Sequence, residues 1–503
     1  MDLLAVLQWI GVIVCLTLAL TGLIPVVAAA ATFAVIPFHA WINHYKKAAP
    51  YLPRVAIVVP AWNEGAVIGA SIDRLIGLDY PAEALRVYVV DDASTDETAA
   101  VVRSRAERYP GQVFLLHREQ GGQGKAHTLN HGIREVLRDE WMEALLIMDA
   151  DVIYLPESLR RMTRHLADPE VGAVSAYIRE GSADRNYLTK FVSTEYVLSQ
   201  PAARRAQNVL GAQACLAGGA QLHSRENLLA IGGRIDTSTL AEDTITTFET
   251  QLRGKKVVFE PHAHVLAEEP RTIDGLWKQR LRWARGNVSV TARYAKVWFR
   301  PSRVHHLGAW TFGMVWFSLW LLPLIMIASS IGLVGLEFLH SGFAATVFRI
   351  LWIAAALAYI FVLVLGSSTD SAVSRKELGH ILLFPGIVNM LVMLTALFPA
   401  LMLVWLPGLF GVTLDGASLV ILTLAIYVWI PFSMVVAWLA RRAERTRAGR
   451  WLSPALLYLA GYGSLLCAIT FDSYLKELAG AEARWDKTEK VGRVATGSPE
   501  HLP

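Results

Sequence analysis

The sequence predicts an α/β domain with a mainly parallel sheet, embedded between transmembrane α-helices, and three observations carry that expectation. The chain of 503 residues is 54% hydrophobic and only 18% charged, which is apolar for a soluble protein. Long apolar stretches gather at the two ends. Between them, from about Leu52 to about Thr291, short apolar runs alternate with helical-looking segments, the pattern of strand–helix units around a parallel sheet. The formal net charge of +4 is small for this length and gives no global reason to expect a nucleic-acid partner. Cys15, Cys215 and Cys467 are far apart and form no metal-ligand spacing, so they read as reduced or membrane-buried packing residues.

From Leu3 to Tyr45 the chain carries no Asp, Glu, Lys or Arg. As one helix at ~1.5 Å per residue this stretch would run ~65 Å, twice the ~30 Å core of a bilayer. Residues 1–45 are therefore expected to form two transmembrane helices, turning near Thr21–Pro25 where Gly and Pro interrupt the run. A cleaved signal peptide is not expected, because the start lacks a basic region and the apolar stretch is too long. Lys46 and Lys47 follow at once, which places the next region, residues 46–300, in the cytoplasm.

Within that region Arg54–Pro60 reads as a buried first strand, Arg86–Val90 as a second that runs into Asp91-Asp92, and Ala144–Met148 as a later one that ends at Asp149-Ala150-Asp151. Ligands of open α/β sheets bind outside the carboxyl ends of the strands, where both acidic clusters fall. Beyond Arg300 apolar stretches return at about Leu307–Leu336, Phe343–Leu365, Ile381–Val412, Ala417–Ala440 and Trp451–Phe471. The connection after Ala440 carries Arg441, Arg442, Arg445, Arg447 and Arg450 and is expected to be cytoplasmic. That gives about four spans over residues 301–440, a basic loop and an interfacial or re-entrant segment over 441–475, and a cytoplasmic tail over 476–503.

Several residues carry chemistry. Asp149 and Asp151 form an Asp-x-Asp at a strand end, which suits a divalent metal bridging a diphosphate and equally suits a strand-to-helix turn with a capping Asp. Glu119–Ala126 is not a P-loop, since Glu119 and Ala126 break that pattern, but a flexible glycine loop delivering Lys125 to a diphosphate remains open beside an ordinary surface turn. No Gly-x-Gly-x-x-Gly follows the first strand. Glu242 and Asp243 read as a general base with its neighbour, or as acids at a helix start. His262 and His264 share one face of an extended segment and read as satisfied strand histidines. In Gln279–Trp283, helical spacing puts Gln279, Arg282 and Trp283 on one face and turns Arg280 away, so that Arg280 is expected to tolerate change. An amide, a guanidinium and an indole together suit an anion beside a sugar.

Taken in order, Pro60-Ala61-Trp62-Asn63-Glu64, Asp91-Asp92, Asp149-Ala150-Asp151, Ala241-Glu242-Asp243 and Gln279-Arg280-Leu281-Arg282-Trp283 resemble the processive family-2 glycosyltransferases. That group includes cellulose, hyaluronan, chitin and poly-N-acetylglucosamine synthases, and the run Asp274–Ala284 looks most similar to bacterial poly-β-1,6-N-acetylglucosamine synthases. The resemblance implies a GT-A-type α/β fold and a hexosyltransferase that inverts at the anomeric carbon. It further implies a cytoplasmic UDP-sugar donor, UDP-N-acetylglucosamine or UDP-glucose, Mg²⁺ or Mn²⁺ as cofactor, and a β-linked polysaccharide passed across the plasma (inner) membrane.

By that resemblance Pro60, Ala61, Trp62, Glu64, Asp91, Asp92, Lys125 and Asp149 bind the nucleotide-sugar. Asp151, with Asp149, holds the metal, and Asp243 is the catalytic base. Gln279, Arg282 and Trp283 lie over the donor and the acceptor end of the glycan. Expected partners are the donor, a polysaccharide or lipid acceptor, membrane lipids and, as an open case, an accessory membrane subunit. Gly218 and Gly219 fall near the acceptor loop, although Leu216-Ala217 departs from the pattern of relatives. Arg484–Lys490 resembles, with breaks at Asp486 and Lys487, a tail segment of hyaluronan synthases. Two other readings stand beside this one: transfer of one sugar to a membrane lipid, and a non-catalytic membrane protein that senses nucleotide-sugars.

Overall fold

The computed structural model describes residues 3–41 and 49–481. Lys46-Lys47 and the Arg484–Lys490 segment lie outside the described residues. The chain divides into two compact units.

The α/β unit comprises residues 35–271 and 286–313 and is built on a sheet that, among the described residues, has eight strands. These are β1 (Val55–Ala61), β2 (Leu85–Asp91), β3 (Val113–His117), β4 (Ala144–Ile147), β5 (Ile153–Tyr154), β6 (Val171–Glu180), β7 (Gln221–Ser224) and β8 (Lys256–Ala267), in the order β3-β2-β1-β4-β7-β6-β8-β5. The block β3-β2-β1-β4 is parallel throughout, β7 is antiparallel to both its neighbours, and β6 and β8 run parallel. β1 is a continuous apolar run because both its faces are covered. Val55, Ile57 and Val59 pack with Ile68, Ile72 and Leu75 of the helix Gly65–Ile76. Ala56 and Val58 point the other way, to Leu129, Ile133 and Val136 of the helix Lys125–Leu137. Pro60 is accommodated in this central strand because pairing with β4 stops at Val58, so no ladder bond needs its missing N–H.

The second unit comprises residues 1–34, 272–285 and 314–481 and is almost all helix. Among the described residues three helices are long and apolar enough to cross a membrane: Leu3–Ala40, Leu322–His340 and Gly342–Thr369. The first of these, expected as two spans, is one candidate span made of Leu3–Leu20, Leu23–Ala34 and a short 3₁₀ turn, interrupted at Thr21-Gly22. The stretch expected to begin a span at Leu307 instead holds a separate helix, Trp310–Trp320. A new helix opens at Leu322, with Pro323 in its first turn, where a missing N–H costs nothing.

Three further segments are bent pairs, 114° between Ile387–Leu397 and Leu401–Leu409, 65° between Gly416–Tyr427 and Trp429–Ala443, and 94° between Gly449–Ala460 and Tyr462–Leu478. Pro399 supplies the first break by barring Phe398 from helical geometry. At the last break Gly461 takes φ 89°, a left-handed conformation.

This unit also holds the start of the helix Ile273–Arg293, which carries Gln279–Trp283. Its first backbone N–H groups, which no helical carbonyl can satisfy, donate to the Glu444 carboxylate, Ile273 at 2.8 Å and Asp274 at 3.0 Å. Fully buried Trp277 donates its indole N–H to Asp472 at 2.8 Å.

Candidate active site

Strand order runs outward from β1 in both directions, to β2 and β3 on one side and to β4 on the other. The crevice at the carboxyl ends of β1 and β4 is therefore the switch point at which such sheets bind ligands. Ala61 ends β1 there, and the chain continues into Trp62, whose side chain is 46% exposed. Asn63 follows with φ 53°, a left-handed conformation that turns the chain sharply. Its amide side chain accepts from the Thr95 N–H at 2.8 Å, and its own N–H donates to Ser94 Oγ at 2.9 Å. Glu64 and Gly65 open the next helix by donating their N–H groups to Thr98 Oγ1 and Asp96. Burial works to raise the Asp96 pKa, but bonds from Thr98 and Gly65 outweigh it and hold the carboxyl below its usual value.

At the end of β2 the two aspartates have different surroundings. Asp91 is fully buried and binds His117 Nδ1 at 2.8 Å and the Ser94 N–H at 3.2 Å. Asp92 binds the Arg118 guanidinium and accepts from the Gly122 N–H at 3.1 Å. Arg118 also donates to Thr128 Oγ1 at 3.1 Å and Gln123 Oε1 at 2.6 Å. Asp92 and Arg118 thus hold the glycine loop at Gly122 and Gln123. The patterns considered for the sequence missed Arg118 and His117. Their signal is positional: His117 ends β3 and Arg118 follows it.

Lys125 opens the helix Lys125–Leu137, after Gly124 at φ 102°. Its ammonium pairs with Asp149 and donates to the Gly218 carbonyl at 3.1 Å. Burial works to lower its pKa, but Asp149 first, then Glu242 and Asp243, outweigh it and hold the ammonium charged. Asp243 lies in the first turn of the helix Glu242–Leu252 and fixes one oxygen with the Thr244 N–H at 2.7 Å.

Gly218 and Gly219 pass close to these groups. A Cβ on Gly218 would come 3.0 Å from Asp243 Oδ2 and 3.6 Å from Lys125 Nζ, and one on Gly219 would come 3.0 Å from Asp149 Oδ2. The structure therefore brings Lys125, Asp149, Asp243 and the glycine pair together. It adds Cys215, whose thiol is pushed well above its usual pKa by burial first and then by Asp243, and Arg204, whose guanidinium donates to Ser175 Oγ at 2.8 Å.

Asp151 stands two residues beyond Asp149, in a half-exposed turn. No group of three or more His, Cys, Asp or Glu side chains suited to a metal occurs among the described residues. The donor set fits a hard cation that takes one or two carboxylates and completes its shell with phosphate oxygens and water, as Mg²⁺ does. It does not fit a cation caged by protein alone.

In the helical unit the Gln279 helix departs from the expected division of faces. Arg280 is 5% exposed, donates to Gln279 Oε1 at 2.7 Å, and lies 4.0 Å over the Trp283 ring. The geometric reason is simple: residue 280 is three before 283, so Arg280 shares the Trp283 side of the helix as much as Gln279 does. Trp283 is 40% exposed. Asp274, one turn earlier, pairs with Lys278, Arg441 and Arg445.

A mainly parallel α/β sheet with a lysine, paired acids and a glycine pair at its switch point defines the GT-A class of nucleotide-sugar transferases. Residues 53–286 match the glycosyltransferase-like family 2, and the chain carries a glycosyltransferase family 2 domain. It is 33% identical over 252 residues to beta-monoglucosyldiacylglycerol synthase of Synechocystis sp., covering 50% of each chain. It is 28% identical over 243 residues to poly-beta-1,6-N-acetyl-D-glucosamine synthase of Staphylococcus aureus, covering 48% of this chain and 56% of that one. The chain thus spans about half the length of these two relatives. A solved mannosyltransferase from Pyrobaculum calidifontis, in complex with GDP-Man and Mn²⁺, matches at TM-score 0.50 and 25% identity, over 71% of this chain and 99% of that one.

Proposed function

We propose that this protein is an inverting membrane glycosyltransferase that takes a cytoplasmic UDP-sugar, UDP-N-acetylglucosamine or UDP-glucose, and elongates a β-linked polysaccharide that leaves through its own membrane helices. The observation that carries the reading is the arrangement about Gly218-Gly219, with Asp243 and Lys125 beside Gly218 and Asp149, paired with Lys125, beside Gly219. It sets a countercharge for a leaving diphosphate beside a carboxylate free of direct ion pairing in the described contacts. Asp243 takes the proton from the acceptor hydroxyl as that oxygen attacks the anomeric carbon, and the bond to the UDP oxygen breaks on the opposite face. Lys125, at a helix N-terminus, stabilises the charge that develops on the departing diphosphate.

Asp149 and Asp151 would hold Mg²⁺ or Mn²⁺, which when bound adds countercharge to the same diphosphate. Trp62 offers an exposed ring for stacking a nucleobase, and Asp92 is assigned to the base with Asp91, Pro60, Ala61 and Glu64 around it. On the resemblance alone, Gln279, Arg282 and Trp283 take the donor pyrophosphate and the acceptor end. The long apolar helices support a membrane protein; a multi-pass course in the plasma membrane with catalytic domain and tail in the cytoplasm rests on the charges at Lys46, Lys47 and Arg441–Arg450.

A second reading, transfer of one sugar to a lipid, is favoured by the 33% identity to a glucosyldiacylglycerol synthase. The test is UDP release by the purified protein across UDP-sugars with Mg²⁺ or Mn²⁺, followed by sizing of the product. A polymer supports the first reading, and a lipid-extractable product with one or two sugars replaces it with the second. Asp243→Asn is expected to keep UDP binding and abolish transfer, and wild-type turnover in that variant removes Asp243 from the role of base.

A further inference from the structure

The connection after the helix Trp429–Ala443 does more than carry a generic positive charge. Trp438, Arg441, Arg442, Arg445 and Thr446 line one concavity of about 460 Å³, within the ~300–1,000 Å³ range of small-molecule sites. Its three guanidiniums are compensated unequally. Arg441 and Arg445 both bind Asp274, at 2.7 and 3.0 Å, and that carboxyl is also held by Lys278 at 3.1 Å. Glu444 is committed to the backbone N–H groups of Ile273 and Asp274. Arg442 makes no ion pair among the described residues. It lies 5.8 Å from the ring of Trp438, whose side chain is 45% exposed.

One carboxylate shared by three cations leaves the concavity strongly positive and short of acceptors. An exposed indole at the mouth of such a site, on the last turns of an apolar helix, is the arrangement found at the headgroup level of a bilayer, where ring and guanidinium meet lipid phosphates. Guanidinium forks match phosphate oxygens in number and geometry.

We propose that this concavity binds the phosphate of an anionic membrane lipid, with Arg442 and Arg445 as its main ligands. The inference rests on the chain lying in a membrane and not on its being a sugar transferase, so it stands or falls apart from the enzymatic reading. The site also shares Arg441 and Arg445 with Asp274 at the start of the Gln279 helix, so the bound phosphate would brace that helix end.

The full-length protein is placed in nanodiscs of phosphatidylcholine, with and without phosphatidylglycerol, and the lipids it retains are counted by native mass spectrometry. Wild type is expected to keep phosphatidylglycerol selectively. Arg442→Gln, which breaks no ion pair, is expected to lower that retention about fivefold, and Arg442→Gln with Arg445→Gln by about twentyfold or more. Arg450→Gln, outside the concavity, is expected to retain it. Equal retention of the two lipids by wild type, or undiminished phosphatidylglycerol in Arg442→Gln, overturns the proposal. So does displacement of phosphatidylglycerol by inorganic phosphate added to the mixed discs, since the ligand would then be the free anion.

Discussion

Gly218→Ala separates the geometry of the site from the stability of the fold. The added Cβ would stand 3.0 Å from Asp243 Oδ2, against the ~3.5 Å or more at which non-bonded heavy atoms are comfortable. The carboxylate must therefore retreat by roughly 0.5 Å, the limit within which a catalytic group is normally held. Misplacement by ~1 Å costs about 100-fold in rate, so a fall in kcat of roughly 10- to 100-fold is expected. Gly218 is not among the glycines with positive φ, so the backbone accepts alanine.

The unfolded chain loses freedom, worth about 0.4–1 kcal/mol in favour of the folded state, which offsets part of the crowding. Stability should change by no more than about 1 kcal/mol. Gly219→Ala is the companion, because its Cβ would press on Asp149 Oδ2 at 3.0 Å and Val152 Cγ2 at 3.1 Å. There the loss should appear as a raised KM for donor and a raised metal requirement. The assay is UDP release at saturating donor, with thermal unfolding of the same samples. Wild-type kcat in a folded Gly218→Ala protein would refute the placement of Asp243 at the reacting centre.

Lys125→Met removes the cation near Asp149, Glu242 and Asp243; because Asp149 is 37% exposed, solvent screens the loss to about 1–2 kcal/mol, and donor affinity should fall at least tenfold. Because the ammonium is held above its unfolded pKa of ~10.4, its contribution is complete below that pH and lost only as pH rises through the folded value. The Tm difference between wild type and Lys125→Met should thus be flat from pH 6 to 9, and a steep decline in that window contradicts the assignment. For Asp274, burial pulls the pKa up but bonds from Arg441, Lys278 and Arg445 outweigh it and set it at about 2. Asp274→Asn should cost about 1–2 kcal/mol at neutral pH after solvent screening. That cost should vanish as wild type is acidified from pH 4 to 2, which Tm measured against pH checks. Arg280→Ala, which removes a buried guanidinium from Gln279 and Trp283, should cost about 2 kcal/mol and at least tenfold in turnover. Full activity would restore the view that Arg280 faces away from the motif.

The order of motifs along the chain was readable because all but Gln279–Trp283 sit at or next to a strand end or a helix start, and those local signals are written in short runs of residues. Ala61-Trp62, Asp91-Asp92 and Met148-Asp149 could be placed at carboxyl ends of strands before any contact was known, and the buried, two-faced character of β1 follows from its unbroken apolar run. The apolar blocks at either end were equally plain. The breaks at Pro399 and Gly461 show that composition gives the length of an apolar run and not its bends.

Long-range pairing was invisible. Lys125 and Gly218 are 93 residues apart, and nothing local links them, yet their hydrogen bond sets the spacing between Asp149 and Asp243. Arg118 on Asp92, and Glu444 on the start of the Gln279 helix, are likewise products of chain crossings that no window of sequence contains. Sequence by itself determined the fold class and which acids and bases stand at its strand ends, because strand periodicity and residue type are local properties. Tertiary structure alone decided which carboxylate each cation neutralises and that Arg280 is buried, because charge pairing and burial depend on what the rest of the chain brings within a few ångströms.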